Sequence, residues 1–221
     1  MRTAECAEGG GAEPAPGCDL CPRLVQFRAS VSKDHPDWFN GAVPSFGSPD
    51  ARLLIVGLAP GLRGANRTGR PFTGDFAGDL LYETLMEFGF ASGTYGADAA
   101  DGLMLVDCMI TNAVRCVPPQ NKPTGEEIRT CRPFLLQCIA QLPRLAAIVA
   151  LGRIAHESVI RALGGRIAAY KFAHQAMHEI DGLTLHDSYH CSRYNTKTGR
   201  LTPEMFRAVF RDVRQRIGPS H

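Results

Sequence analysis

Four short apolar runs set the terms for any fold this chain can adopt: Leu53–Val56, Leu103–Asn112, Ala146–Leu151 and Leu183–Ser188. The first is rich in branched side chains and bounded by Gly57, the pattern of a buried strand, and the other three read as strands beside it. Helical periodicity fills the stretches between and around them, from Arg23 to Lys33, from Phe76 onward, from Pro123 to Leu142, from Arg153 to Leu163 and after Thr202-Pro203. Strands alternating with helices predict an α/β fold, a three-layer α/β/α sandwich around a central, mostly parallel four-stranded sheet. Ligands of such sheets bind off the carboxyl ends of the strands, so the residues just after each run are the first candidates for a site.

The first run leads into a long loop with Gly57, Gly61, Gly64, Gly69 and Gly74, three arginines (Arg63, Arg67, Arg70) and Asp75 at the mouth of a helix. A strand, a glycine-rich loop and a helix N-terminus let a ligand approach the main chain. The loop has neither GxxxxGK[ST] nor a GxGxxG directly after the strand, which argues against a nucleoside triphosphate or a dinucleotide. The second run delivers Asn112 and the fourth delivers His190. Asp75, Asn112 and His190 are therefore expected to converge on one rim. Each has a plainer reading beside the functional one: a helix N-cap, a strand-end amide and a packed core histidine.

Residues 1–17 are rich in Gly, Ala, Pro and Glu and are expected to be a disordered tail, with residues 18–221 forming a single domain. The tail lacks an apolar signal core, and no apolar run reaches the ~20 residues of a membrane helix, so an intracellular, cytoplasmic protein with no membrane partner is expected. The eight cysteines are then better read as metal ligands or core residues than as disulfides. Cys18 and Cys21 form a CxxC turn, whereas Cys116 and Cys131 are too far apart for the second knuckle of a zinc ribbon. An iron–sulfur centre suits this spacing at least as well, and a core role for Cys116 and Cys131 stays open beside it. Net charge is only +2, so nucleic-acid binding has to rest on local clusters. Two loops supply them: Arg63, Arg67 and Arg70 on one, Arg193, Asn195, Lys197 and Arg200 on the other. Phosphate binding and ordinary solvated surface both fit those residues.

Three longer motifs add to this reading. GLAPG followed by GANRTGRPFTGD, then NAVRCVPPQNKPT, then SYHCSRYNTKTGRLT, together resemble the type-B (family 5) uracil-DNA glycosylases, from Cys18 to the last helix. The resemblance implies a uracil-DNA glycosylase-like fold and a 4Fe-4S cluster on Cys18, Cys21, Cys116 and Cys131. It also implies a monofunctional enzyme that hydrolyses the N-glycosidic bond of uracil, and of other deaminated bases such as hypoxanthine or xanthine, in DNA. A nucleoid-associated monomer is expected. The flipped base would lie against Gly57, Ala59 and Gly61, stacked on Phe72. His190 would stabilise the departing base, Asp75 would position water or stabilise the cationic sugar, and Asn112 would favour uracil over other bases. Arg63, Arg67, Arg70, Arg193, Asn195 and Lys197 would contact DNA, and Tyr194 could add a stacking wedge. The alternative is a non-catalytic iron–sulfur protein that binds damaged or single-stranded DNA.

Overall fold

The computed structural model describes residues 13–219. In chain order the elements are α1 (Pro22–Asp34), β1 (Phe46–Gly47), β2 (Leu53–Gly57), α2 (Ala65–Thr68), α3 (Phe76–Glu87), β3 (Ala91–Ser92), β4 (Met104–Leu105), β5 (Cys108–Asn112), α4 (Gly125–Ala140), β6 (Ala147–Leu151), α5 (Arg153–Ala162), β7 (Met177–Ile180), β8 (Leu183–Ser188), α6 (Arg193–Lys197) and α7 (Pro203–Ile217).

Six strands form the main sheet, in the order β1-β5-β2-β6-β8-β7. The inner four, β5, β2, β6 and β8, are parallel, while β1 and β7 pair antiparallel at the edges. The expected four-stranded sheet is thus the parallel centre of a larger, mixed one. The strand expected over Leu103–Asn112 is also shorter. Asp107, with φ 53°, turns the chain between β4 and β5, and its carboxylate accepts from the Arg52 backbone N–H at 2.9 Å and from Arg52 Nε at 2.7 Å.

Side chains of β2 alternate between two cores, as a strand period of two requires. Leu53 and Ile55 pack with Leu81, Leu85, Phe206 and Phe210 of α3 and α7. Leu54 and Val56 pack with Leu135, Val159 and Ile160 of α4 and α5. Every residue of β2 is buried, and each large apolar side chain so covered contributes about 1.5–3 kcal/mol. Helices therefore cover both faces. Among the described residues, no helix is long and apolar enough to cross a membrane.

Helix starts are fixed by short polar side chains. Thr124 and Glu127 form a reciprocal capping box at α4, and the same Glu127 accepts two 2.7 Å bonds from Arg23 of α1. Asp75, Ser192 and Thr202 cap α3, α6 and α7. Residues 1–12 of the expected tail lie outside the described residues. Residues 13–17 pack on the domain: Pro16 O accepts from Ala42 N at 2.9 Å and from Arg28 Nη1 at 2.7 Å, and Glu13 pairs with Arg115.

Candidate active site

The carboxyl ends of β2, β5 and β8 open on a cleft of about 700 Å³, lined by the Leu58–Gly61 turn, Arg63, Phe72, Asp75, Asn112, His190 and Arg193, among others. Parallel order puts the three exits on one rim. Residues distant in sequence meet there because β2 lies between β5 and β6, and β8 follows β6.

Gly57 sits beneath the wall of this cleft. A Cβ there would fall 2.4 Å from Asn112 Oδ1 and 2.6 Å from the Phe72 ring, so only glycine lets these two side chains approach. Ala59 and Gly61 line the cleft itself. Asn112, the last residue of β5 and the register partner of Gly57, is 3% exposed. Its Oδ1 has no hydrogen-bond partner. Leaving such an oxygen unpaired costs about 1–3 kcal/mol, and in the cleft wall it is an acceptor available to a ligand. Phe72 has φ 53°, a left-handed backbone that costs a bulky residue on the order of 1 kcal/mol. Its ring faces that of His190, with centroids 5.9 Å apart and planes 27° from parallel.

Asp75 caps α3, with Oδ1 accepting from Gly78 N at 3.3 Å. Its Oδ2 occupies the space that side chains at Gly61 and Gly64 would take. Burial raises its pKa, and the backbone N–H groups of Gly78 and Ala77 oppose that rise. His190 keeps part of its surface open to the cleft, yet its ring is packed deeply enough that desolvation lowers its pKa to about 4. The imidazole is neutral at physiological pH. Cys191 lies directly behind it, fully buried, and donates to Ala77 O at 3.4 Å.

The basic residues divide. Arg63 is exposed at the cleft lip, and Arg193 lines the cleft with its guanidinium 5.3 Å over the Phe76 ring. Arg67 donates to Arg63 O at 2.9 Å, and Lys197 is exposed on α6. Arg70 is not brought to the cleft surface. It is 5% exposed and grips Asp101 with two bonds of 2.8 and 2.7 Å. Asn195 also turns inward, donating to His190 O at 2.8 Å. Tyr194 is 72% exposed on the same helix. Asn121, at the end of the 3₁₀ turn Pro119–Asn121, lines the cleft as well. The expectations above do not include it, although its sequence signal was an Asn placed between a Pro-Pro pair and a helix cap.

Cys18, Cys21, Cys116 and Cys131 line a second, smaller pocket together with Pro14, Leu24 and Ala42. Burial and the neighbouring thiols push Cys21 up to about 11, and burial above all pushes Cys116 up to about 12. A bound cation would remove that penalty by taking the thiolates as ligands. Arg115 N donates to Cys131 Sγ at 3.3 Å, the kind of bond that supports a ligating sulfur. Four thiols gathered round one pocket are a donor set that an iron–sulfur centre or a single tetrahedral zinc would take. Ala59 packs against the same cluster of residues, so the pocket adjoins the cleft turn.

Among the described residues, the one group of donors that does fall within 4.8 Å is His156, His178 and Asp187, interior to α5, β7 and β8. Both ring nitrogens of His156 face acceptors, Asp187 Oδ1 at 2.7 Å and Tyr170 O at 3.0 Å. The ring satisfies both only by carrying both protons. Burial works against that charge, but the Asp187 carboxylate outweighs it and raises the pKa. The group is an internal ion pair.

Known proteins resemble this chain over most of its length. Residues 44–214 match the model of the uracil DNA glycosylase superfamily. The chain is 46% identical over 208 residues to a type-5 uracil-DNA glycosylase of Thermus thermophilus, covering 91% of this chain and 94% of that protein. It is 43% identical to one of Mycobacterium leprae, covering 91% and 92%. A type-4 uracil-DNA glycosylase of Pyrobaculum aerophilum is 37% identical over 151 residues, covering 67% and 62%. The superfamily match takes in all three strand exits, and the type-5 relatives extend across nine-tenths of the chain. By both measures the chain belongs to the uracil DNA glycosylase superfamily.

Proposed function

We propose that this protein is a monofunctional DNA glycosylase that hydrolyses the N-glycosidic bond of uracil in DNA and leaves an abasic site. The observation that carries the reading is the unpartnered, buried Asn112 Oδ1 in a cleft walled by Phe72 and His190. It offers an acceptor to a flat, N–H-bearing ring stacked on Phe72. A base inside a duplex cannot reach such a cleft, so the nucleotide is flipped, at a cost of a few kcal/mol.

In the reaction water attacks C1′, the C1′–N bond breaks, and its electron pair leaves with the base. Negative charge grows on the base and positive charge on the sugar. His190, neutral in its packed setting, answers the first by donating a hydrogen bond rather than a proton. Asp75, held at the N-terminus of α3, answers the second and orients the water. Arg63, Arg67, Arg193 and Lys197 flank the opening and suit a phosphate backbone. Extension to hypoxanthine and xanthine belongs to the same proposal, with Asn112 setting the preference for uracil.

Cys18, Cys21, Cys116 and Cys131 would hold a 4Fe-4S cluster. That group would supply a covalent cross-link joining the N-terminal turn, the β5–α4 loop and α4. It takes no part in the bond cleavage.

The test uses purified protein and a labelled oligonucleotide with one uracil, opposite guanine or unpaired, followed by alkali. Strand breaks that need the alkali step support a monofunctional glycosylase. Tight DNA binding with no breaks on uracil, hypoxanthine or xanthine would favour the non-catalytic DNA-binding alternative.

A further inference from the structure

The loop between β3 and β4 lies outside the cleft. Two of its side chains nevertheless reach back to the loop that carries Phe72. Tyr95 donates its hydroxyl to Phe72 O at 3.3 Å. Asp101 takes both arms of Arg70, and Arg70 Nε in turn donates to Thr73 Oγ1 at 2.7 Å. Phe72 is thereby bracketed by Arg70, which is fixed to Asp101, and by Thr73, which is fixed to Arg70. Asp101 is itself held by Gly96 N at 2.8 Å and Leu103 N at 3.0 Å, so the loop presents it rigidly.

Further groups close the arrangement. Tyr82 of α3 donates to Pro71 O at 2.6 Å, and its ring packs on that of Tyr95 with centroids 4.6 Å apart. Gly78 makes room: a Cβ there would run into Phe72 O and the Tyr95 hydroxyl. The carbonyls of Pro71 and Phe72 each have a tyrosine hydroxyl donated to them, on either side of the one residue in this loop that is bulky and left-handed. Phenylalanine does not adopt that backbone unless its surroundings over-determine it.

We infer that Tyr95 and Asp101 are positioning residues: the β3–β4 loop buttresses the cleft by holding Phe72 in its left-handed backbone, with its ring against His190 and over Gly57. This rests on the glycosylase reading for its consequence, because a pre-set ring lowers the ordering cost of stacking a flipped base.

The test is a double-mutant cycle on single-turnover uracil release, with Tyr95→Phe, Asp101→Asn and Phe72→Ala. Tyr95→Phe should slow release roughly three- to tenfold, the range of one neutral hydrogen bond, and Asp101→Asn by more. Neither should add to the loss in the Phe72→Ala background, and binding of lesion-free duplex should stay unchanged. Equal penalties with and without the Phe72 ring would overturn the inference, because a general loss of fold acts in both backgrounds. If Asp101→Asn does not fold, Tyr95→Phe carries the cycle alone. Should the wild-type protein release no uracil, the proposed function fails and the buttress is judged by a crystal structure of the Tyr95→Phe/Asp101→Asn variant. There, Phe72 leaving its positive φ supports the inference, and Phe72 unmoved against His190 refutes it.

Discussion

The side-chain amide of Asn195 donates a 2.8 Å hydrogen bond to the backbone carbonyl of His190, tying the first turn of α6 to the end of β8. Asn195 therefore sets the height of the imidazole over the cleft. Asn195→Ala loses one hydrogen bond of about 1 kcal/mol, so uracil release should fall about fivefold while lesion-free duplex binding holds. Asn195→Asp cannot donate and should be at least as slow. A loss confined to binding, with the single-turnover rate intact, would instead make Asn195 a phosphate contact.

Asp75 should show opposite effects on stability and rate. Burial raises its pKa in the folded state, so ionised Asp75 disfavours folding. Its favourable contribution is complete below the unfolded carboxylate range and is lost as pH rises through the raised folded value. Asp75→Asn keeps an N-cap of equal quality. It should therefore match or exceed the wild-type Tm at neutral pH, converge with wild type in acid, and release uracil more than tenfold slower, a ~1.4 kcal/mol effect. Thermal melts across pH beside single-turnover rates decide this. A less stable variant at neutral pH, or a rate within tenfold, contradicts the assignment.

Base preference should reside in Asn112. Removing the buried acceptor with Asn112→Ala should lower uracil release at least tenfold and leave hypoxanthine release within about threefold, because the proposed contact runs from Oδ1 to the N–H of a pyrimidine and the larger purine carries its N–H in a different place. Parallel changes on both substrates would take Asn112 out of base selection.

For the thiol pocket the expected signature is optical. Protein as purified should be brown, and Cys131→Ser should be colourless with a lower Tm, because ligands from α4 and the N-terminal turn are then no longer joined. Chelation of iron should remove colour and melt the fold together. A colourless wild-type preparation containing zinc would exclude the iron–sulfur reading.

Salt dependence separates the arginines. Arg63→Ala and Lys197→Ala should each reduce the slope of log binding against log salt by about 0.9. Arg70→Ala should leave the slope alone and lower the Tm, because Asp101 then loses its cationic partner and keeps only the backbone N–H groups of Gly96 and Leu103.

Arg70 shows where sequence reasoning stops. In the loop it carries the same charge as Arg63 and Arg67, and its partner Asp101 lies in a segment with no periodic signal. Only the tertiary fold reveals that it is spent internally. The edge strands were hidden for a related reason: β1 has two residues, and β7 mixes Met, His, Glu and Ile with one buried position among its four. By contrast β2 and β6 stood out because strands covered on both faces read as unbroken apolar runs. Asp75, Asn112 and His190 could be placed together once those strands were parallel. Their chemistry could be inferred from residue type, but the burial that neutralises His190 and leaves Asn112 unpaired could not.

The strap formed by residues 13–17 also has a meaning in time. Glu13 and its partner Arg115 are 102 residues apart in the chain, and Cys131 follows later still. During synthesis two thiols of the pocket, Cys18 and Cys21, leave the ribosome long before the residues that will enclose them. The pocket cannot be closed until α4, which ends at Ala140 of 221 residues, has emerged, so the proposed cluster would be completed only after more than half of the chain has been made. Until then two paired cysteines stand open to the cell's oxidants.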